Sequence, residues 1–128
     1  MRFNGICIIS PDVRRLAEFY IRLLGAEGSV NSTFVGLATE GASLSIFSEE
    51  EMEIMAPGSM EGAGRGSYTI EFEVDDVDRQ HDRLQAMQVP IVKPPTTQPW
   101  GRRSVWFRDP DGNMVNFYAN VAPAGQTG

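Results

Sequence analysis

Apolar and polar residues alternate with a period of two, the period of a β-strand, in four segments of this chain. These segments are residues 34–39, 42–48, 103–108 and 114–119. Two other segments place apolar residues three or four positions apart, as a helix with one buried face does. In the first of them, Ser10 can cap the helix, Pro11 suits its first turn, and Gly25 suits the position just past its end. The pattern therefore predicts a chain of both helices and strands.

The chain also contains two copies of one pattern, separated by 64 residues, which is half the chain length. Residues 6–23 align with residues 70–87, and each copy has an apolar strand, an acidic turn and a helix. In the second copy, Asp75 or Asp76 can cap the helix. The repeat predicts an α+β fold of two tandem βαβββ modules, forming a single domain over residues 1–122. Module one covers about residues 1–48, a linker covers 49–66, module two covers about 67–122, and a flexible tail covers 123–128.

A hairpin turn is predicted for Asp109-Pro110-Asp111-Gly112, which lies between two strand segments rich in aromatic and β-branched residues. Proline presets the backbone of the first central turn position, and glycine adds conformational freedom at the end of the turn. Asp109 and Asp111 are interpreted as turn-forming residues, because an aspartate side chain readily accepts hydrogen bonds from N–H groups of its own turn.

The predicted linker opens with an acidic run, residues 49–53, and closes with a glycine-rich stretch. Glycine at this density is typical of a flexible loop. A lid over a pocket is the alternative interpretation. The acidic run would favour the approach of a cationic ligand through long-range attraction.

The composition narrows the class of protein. With 128 residues and 14.1 kDa, the chain can form one compact domain. It has no apolar run of membrane-spanning length, and its N-terminus lacks the layout of a signal peptide. Cys7 is the only cysteine, which excludes an internal disulfide and indicates a cytoplasmic protein. A net charge of −6 argues against a nucleic-acid partner, and the usual phosphate-binding and serine-hydrolase motifs are absent.

Five segments together resemble the vicinal oxygen chelate superfamily, which includes glyoxalase I, bleomycin-resistance proteins and extradiol dioxygenases. In the family's order they are IISPD (8–12), FYIRLLG (19–25), IEFEVDDVD (70–78), PWGRR (99–103) and FRDPDGN (107–113). Each segment is a weak match alone, but jointly they span most of the chain. The resemblance implies paired βαβββ modules whose strands curl into a cleft, and a homodimer.

In the catalytic members of that superfamily, a divalent metal in the cleft is held by side chains from four equivalent strand positions. The resemblance places these positions at Gly5, Ser45, Thr69 and Asn116. Glycine offers no side chain, and the neutral oxygen groups of the other three are poor ligands for Zn²⁺, Ni²⁺ or Fe²⁺. We therefore expect no metal and no other cofactor.

Strand alternation predicts which side chains share a face with these four positions and line the cleft. They are Phe3, Cys7, Ser43, Phe47, Glu71, Glu73, Met114 and Tyr118. With the loop of residues 98–101 included, the candidate ligand-binding residues are Cys7, Phe47, Thr69, Glu71, Trp100, Asn116 and Tyr118. Aromatic walls with a few polar groups are typical of a small-molecule pocket. A register shift of one residue would invert the assignment.

Glu71 is the candidate catalytic or cation-binding residue. A carboxylate that enters an apolar cleft loses solvation, and this disfavours its charged form and suits it to acid–base work. The alternatives are that Glu71 is solvated at the open end of the cleft, or that it pairs with Arg102 or Arg103.

Three further residues have ordinary interpretations beside functional ones. Cys7 is interpreted as a small buried hydrophobe and His81 as a packing residue of the second helix. Trp100 either closes over a ligand or packs at a loop or dimer interface.

Three functions are compatible with the sequence. The favoured one is a metal-free binding protein of the bleomycin-resistance type that sequesters a small drug-like or cationic aromatic compound. The second is a glyoxalase-like lyase or isomerase, or a dioxygenase-related enzyme, with a non-standard site. The third is a structural homodimer with a vestigial cleft. The absent metal ligands argue against the enzyme.

Overall fold

The computed structural model describes residues 1–122, in two compact units of which the first ends at Gly64 and the second begins at Arg65. The first unit contains, in chain order, β1 (Gly5–Ser10), α1 (Val13–Leu24), β2 (Phe34–Leu37), β3 (Ser43–Ser48) and α2 (Glu49–Met55). Its strands have the order β1-β3-β2, with β1 parallel and β2 antiparallel to β3. The predicted flexible tail, residues 123–128, lies outside the described residues.

Helix α1 packs on the first sheet through one apolar stripe. Asp12 caps the helix, because its Oδ1 accepts a hydrogen bond from the backbone N–H of Arg15 at 3.1 Å. The prediction that Ser10 is the cap was wrong: Ser10 is buried, and its hydroxyl oxygen accepts from the N–H of Asp12 at 3.1 Å. The helix ends at Gly25, whose left-handed φ of 64° suits glycine. The core of this unit consists of Ile8, Val13, Leu16, Ala17, Tyr20, Leu23, Val35, Leu37, Leu44 and Ile46.

The second unit has the predicted βαβββ order. Its elements are β4 (Thr69–Glu73), α3 (Val77–Ala86), β5 (Ile91–Thr97), β6 (Arg102–Arg108) and β7 (Met114–Asn120). The strands have the order β4-β7-β6-β5, and β4 is parallel to β7 while the other neighbours are antiparallel. Helix α3 packs against β5, β6 and β7. The core of the second unit consists of Ile70, Val77, Leu84, Val89, Val105, Phe107, Val115 and Phe117.

The first unit differs from the prediction by one strand. Residues 26–33, which correspond to β5 of the second unit, form no strand, so this unit is βαββ and not βαβββ. The side chain of Asn31 lies at the start of β2, where its Oδ1 accepts from the N–H groups of Thr33 and Phe34 at 2.8 and 2.9 Å. Its Nδ2 donates to the carbonyl oxygen of Phe34 at 2.8 Å. Asn31 therefore satisfies backbone groups that a pairing strand would otherwise satisfy.

The predicted linker is not a loop throughout, because its acidic run forms α2. Ser48 caps this helix by accepting a hydrogen bond from the N–H of Glu51 at 3.2 Å, and three glutamates occupy the first turn, where the helix dipole favours negative charge. Ile54 and Met55 are exposed near its end. No helix within residues 1–122 is long and apolar enough to cross a membrane.

The turn between β6 and β7 confirms the turn-forming role predicted for Asp109. Its carboxylate is buried and accepts hydrogen bonds from the backbone N–H groups of Asp111 and Asn113 at 3.0 and 2.9 Å. The side-chain amide of Asn113 donates to the second carboxylate oxygen at 2.9 Å. Gly112 adopts a φ of 87°, a conformation that disfavours residues with a Cβ. This network fixes the register of the hairpin that carries the candidate site.

Candidate functional site

One face of the second unit's sheet carries the polar residues predicted for the cleft. Register places Glu71 of β4 opposite Asn116 of β7, and Asn116 opposite Trp106 of β6. In the next row, Glu73, Tyr118 and Ser104 lie opposite one another in the same way. Opposed residues on neighbouring strands present their side chains to one face of a sheet. Glu71, Asn116 and Tyr118 are therefore brought together as predicted, and we call this surface the polar face.

Asn116 is the most enclosed residue of the polar face, with none of its surface exposed to solvent. Its Nδ2 donates to Glu71 Oε1 across a long distance of 3.4 Å. Its Oδ1 is the one buried side-chain N or O atom within the described part of the chain that has no hydrogen-bond partner. A buried acceptor left without a donor costs about 1–3 kcal/mol.

Arg102 completes the polar face, although the sequence interpretation did not include it among the site residues. Its guanidinium carbon lies 3.8 Å from the centroid of the Tyr118 ring, which is a cation–π contact. Its Nη1 lies 3.6 Å from Glu71 Oε1. The same carboxylate oxygen therefore faces both Arg102 and the amide of Asn116. Of the alternatives that the sequence left open for Glu71, pairing with Arg102 is observed at this long distance, and the side chain is also open to solvent.

The expected burial of the Glu71 side chain is not observed. Its side chain is 44% exposed and that of Arg102 is 35% exposed, so water screens the pair. An exposed ion pair of this kind contributes about 0–1 kcal/mol to stability. The prediction that a buried Glu71 carboxylate serves acid–base chemistry therefore has no support from this structure.

The remaining predicted residues of the second unit lie farther from this cluster or are open to solvent. Thr69 is exposed, and Trp100 is 73% exposed in the turn between β5 and β6. Trp106 is half-buried and lies in the Asn116 row, which makes it the tryptophan of the polar face. No contact of Trp100 with Glu71 or Asn116 is observed, and its role as a closing residue remains a prediction.

The equivalent face of the first unit has small residues where the second unit has polar ones. Register aligns Cys7, Ser45 and Gly36 in one row, which corresponds to the row of Glu71, Asn116 and Trp106. Cys7 is exposed, so its interpretation as a buried hydrophobe was wrong.

The next row of the same face is aromatic. Phe34 and Phe47 lie opposite each other with ring centroids 6.3 Å apart, and Phe34 is 49% exposed. Phe3 precedes β1 and is 81% exposed. The first unit therefore presents an apolar surface with one exposed thiol.

The four positions that the family resemblance assigns to a metal do not suit one. A Cβ atom at Gly5 would overlap the backbone carbonyl of Ser43 on the neighbouring strand, so no ligand side chain fits at residue 5. Ser45, Thr69 and Asn116 offer neutral oxygens only. Within residues 1–122, no three His, Cys, Asp or Glu side chains are placed to hold a metal ion.

Arg103, the neighbour of Arg102, points to the opposite face and does not contact Glu71. It donates from Nε and Nη2 to the two carboxylate oxygens of Asp78 at 2.9 and 2.7 Å, and from Nη1 to Thr97 at 3.0 Å. These hydrogen bonds hold the pKa of Asp78 below its usual range and raise the pKa of Arg103. Arg103 therefore joins α3 to the sheet. His81 on α3 is half-buried, as a packing residue is.

A groove with a volume of about 820 Å³ lies beside α2 in the first unit. It is lined by Pro11, Glu49, Glu50, Glu53, Ile54 and Met60, among others, and by none of the predicted ligand-binding residues. Glu53 is engaged within the unit, since its carboxylate accepts hydrogen bonds from the N–H groups of Gly58 and Met60. The lid interpretation of residues 49–66 remains a prediction.

Comparison with known proteins gives one family. The model of the Glyoxalase/Bleomycin resistance protein/Dioxygenase superfamily matches residues 2–117. The protein YraH of Bacillus subtilis (strain 168), which is described as uncharacterized, is 31% identical over 125 residues, covering 92% of this chain and 98% of YraH.

Solved structures share the fold. A family enzyme from Burkholderia phytofirmans PsJN superposes with a TM-score of 0.80 at 18% identity, covering 92% of this chain and 98% of that one. A family member from Nocardioides superposes with a TM-score of 0.78 at 22% identity, covering 100% of this chain and 90% of that one. These likenesses agree with the α+β architecture described above.

Proposed function

Since the chain belongs to the Glyoxalase/Bleomycin resistance protein/Dioxygenase superfamily, we propose that it binds a small molecule on the polar face without using a metal. The ligand class that the polar face suits is a cationic aromatic compound. Glu71 supplies a carboxylate, Tyr118 supplies an aromatic ring, and Asn116 supplies a hydrogen-bond acceptor.

The observation that carries this proposal is the unpartnered Oδ1 of Asn116. Buried polar groups are almost always paired, so an acceptor without a donor at the centre of a polar face indicates a group that a ligand completes. A ligand N–H or O–H donor would satisfy this atom. The binding residues then lie in two successive rows on one face of a single sheet, whose β6–β7 hairpin holds them in place.

The metal-free part of the proposal rests on the residues themselves. Gly5 leaves no room for a ligand side chain, and the other three family positions carry neutral oxygen groups. The same residues argue against a metal-dependent lyase, isomerase or dioxygenase, which would need imidazole or carboxylate ligands at these positions.

The test uses benzylamine, which is protonated at neutral pH and offers N–H donors beside an aromatic ring, as the probe and isothermal titration calorimetry as the readout. Glu71→Gln should weaken binding about tenfold, because a charge-assisted contact is worth roughly 1.5–3 kcal/mol before exposure reduces it. Asp82→Asn is the matched control, since it removes an exposed carboxylate from α3, which lies on the opposite face of the sheet. Equal binding by the wild type and both variants would remove Glu71 from the site.

A further inference from the structure

We infer that Arg102 is an internal competitor of the ligand: its guanidinium occupies the place that a cationic aromatic ligand would take. This inference rests on the proposed function. It gives Arg102, which lies at the start of β6, a role in setting the affinity and specificity of the site for its ligand.

The first argument is that Arg102 already makes the contacts proposed for a ligand cation. A ligand cation would lie over the Tyr118 ring and beside the Glu71 carboxylate. The Arg102 guanidinium lies 3.8 Å from the centroid of that ring and 3.6 Å from that carboxylate. Arg102 and a ligand cation cannot occupy this place at the same time, because like charges at this separation repel.

The second argument is that the side chain of Arg102 is weakly held. The distance to Glu71 exceeds that of a hydrogen bond, and both side chains are more than a third exposed. Arg103 provides the contrast within the same strand, since it makes three hydrogen bonds of 2.7–3.0 Å. The backbone of Arg102 is fixed, because its carbonyl oxygen accepts from the N–H of Gln98 at 2.8 Å. The guanidinium can therefore leave while the strand stays in place.

The third argument concerns access to the acceptor of Asn116. Asn116 is fully enclosed, so a ligand reaches its Oδ1 only after a neighbouring side chain moves. Arg102 shares a partner with Asn116, because its Nη1 and the Asn116 Nδ2 approach the same oxygen of Glu71 at 3.6 and 3.4 Å. Displacement of Arg102 would free the Tyr118 ring and this carboxylate together.

The experiment compares the binding of protonated benzylamine by the wild type and Arg102→Met, measured by isothermal titration calorimetry at about 0.1 M salt. Methionine keeps an unbranched apolar stem over Tyr118 and removes the charge. We expect Arg102→Met to bind about fivefold to tenfold more tightly, where tenfold corresponds to about 1.4 kcal/mol. Arg102→Lys keeps a cation without the planar guanidinium and should lie between the two. Arg102→Gln is measured in parallel, so that poor folding of one variant leaves the comparison intact.

The matched control is Arg108→Gln. Arg108 lies six residues away on β6 and donates to the carbonyl oxygen of Gly112 at 3.0 Å, away from Tyr118. Arg108→Gln changes the net charge by the same amount as Arg102→Met, so it measures any general increase in the attraction of the protein for cations. We expect its affinity to match that of the wild type within about twofold, because salt screens charges beyond about 10 Å.

A second readout follows the arginine directly. A guanidinium over an aromatic ring has shielded proton signals, so titration of the wild type should shift the Arg102 Hε resonance downfield as the probe takes its place. Arg103 Hε should stay unchanged, because Arg103 remains bonded to Asp78.

Three results would overturn the inference. If the wild type binds the probe and Arg102→Met binds it equally or more weakly, Arg102 is not a competitor, although the proposed function stands. If the wild type binds benzoate and Arg102→Met loses it, Arg102 is a ligand-contacting residue for anions. If no variant binds either probe, the proposed function fails along with the inference.

Discussion

At the scale of single residues, the β6–β7 hairpin contains two buried asparagines that differ in their hydrogen bonding. Asn113 is fully paired, since its backbone and side chain both donate to Asp109. Asn116, three residues later and equally buried, has a weak donor contact and an unpartnered acceptor. We interpret the first as part of the turn and the second as part of a binding site.

This contrast gives a prediction on stability. Asn116→Leu removes an acceptor that has no partner, so the free energy of unfolding should stay within about 1 kcal/mol of the wild type or rise. Asn113→Leu is the control at equal burial. It should lower the free energy of unfolding by about 1.5–3 kcal/mol, because the buried Asp109 carboxylate loses the hydrogen bond from the Asn113 side chain. Urea denaturation measures both, and a large loss for Asn116→Leu would show that its amide serves the fold.

Residue 5 gives a prediction on metal content. Because no side chain fits there and the other family positions are neutral, purified protein should contain no stoichiometric transition metal. Elemental analysis after expression in metal-supplemented medium checks this. About one Ni, Zn or Fe per chain, or isomerisation of a hemithioacetal that a chelator abolishes, would contradict it.

At the scale of elements, the ion pair between Asp78 and Arg103 connects α3 to β6. The arginine also bonds Thr97, so one side chain joins a helix and two strands. Its partner Asp78 lies in the first turn of α3, where a carboxylate is further favoured by the helix dipole.

This pair predicts a pH dependence of stability. The pKa of Asp78 is lower in the folded protein than in the unfolded chain, chiefly through its hydrogen bonds with Arg103. The stabilisation is therefore complete above the unfolded value, about 3.9, and is lost as pH falls through the folded pKa. The thermal midpoint of the wild type should exceed that of Asp78→Asn at pH 7, and the difference should shrink below about pH 4. Asp82→Asn, an exposed change on the same helix, serves as the control; a difference independent of pH would refute the assignment.

The elements also show which information the sequence contains. The repeat, the hairpin turn and the strand alternation predicted the second unit. The shared face of Glu71, Asn116 and Tyr118 was predicted from the positions that the family resemblance assigns, extended by strand alternation. Residues 26–33 lack such alternation, and the repeat alone wrongly supplied a strand there. Arg102 was named only as a possible partner of Glu71 and not as a site residue, because its contact with Tyr118 depends on the alignment of β6 with β7, which no local pattern encodes.

At the scale of the whole molecule, assembly remains a prediction. The family resemblance implies a two-fold dimer that buries an apolar sheet margin, and the first unit leaves Phe34 half exposed and Phe3 almost fully exposed. An interface of standard size would bury roughly 1,600 Å² in total.

Light scattering coupled to size exclusion tests this assembly. We expect a particle of about 28 kDa, twice the chain mass of 14.1 kDa, at micromolar concentration. Phe34→Glu should shift the population toward monomer, because it places a charge on the apolar surface, whereas Asn120→Asp, on the exposed end of β7, should not. A 14 kDa wild-type particle would contradict the dimer.

The close approach of Gly5 to the Ser43 carbonyl limits the substitutions that residue 5 can accept. A histidine introduced at residue 5 would have to separate β1 from β3 before it could contribute anything to a metal site. Such a substitution would lower stability before it supplied a metal ligand. Engineering of a metal enzyme from this scaffold should therefore begin with the spacing of two strands, and only then with the choice of side chains.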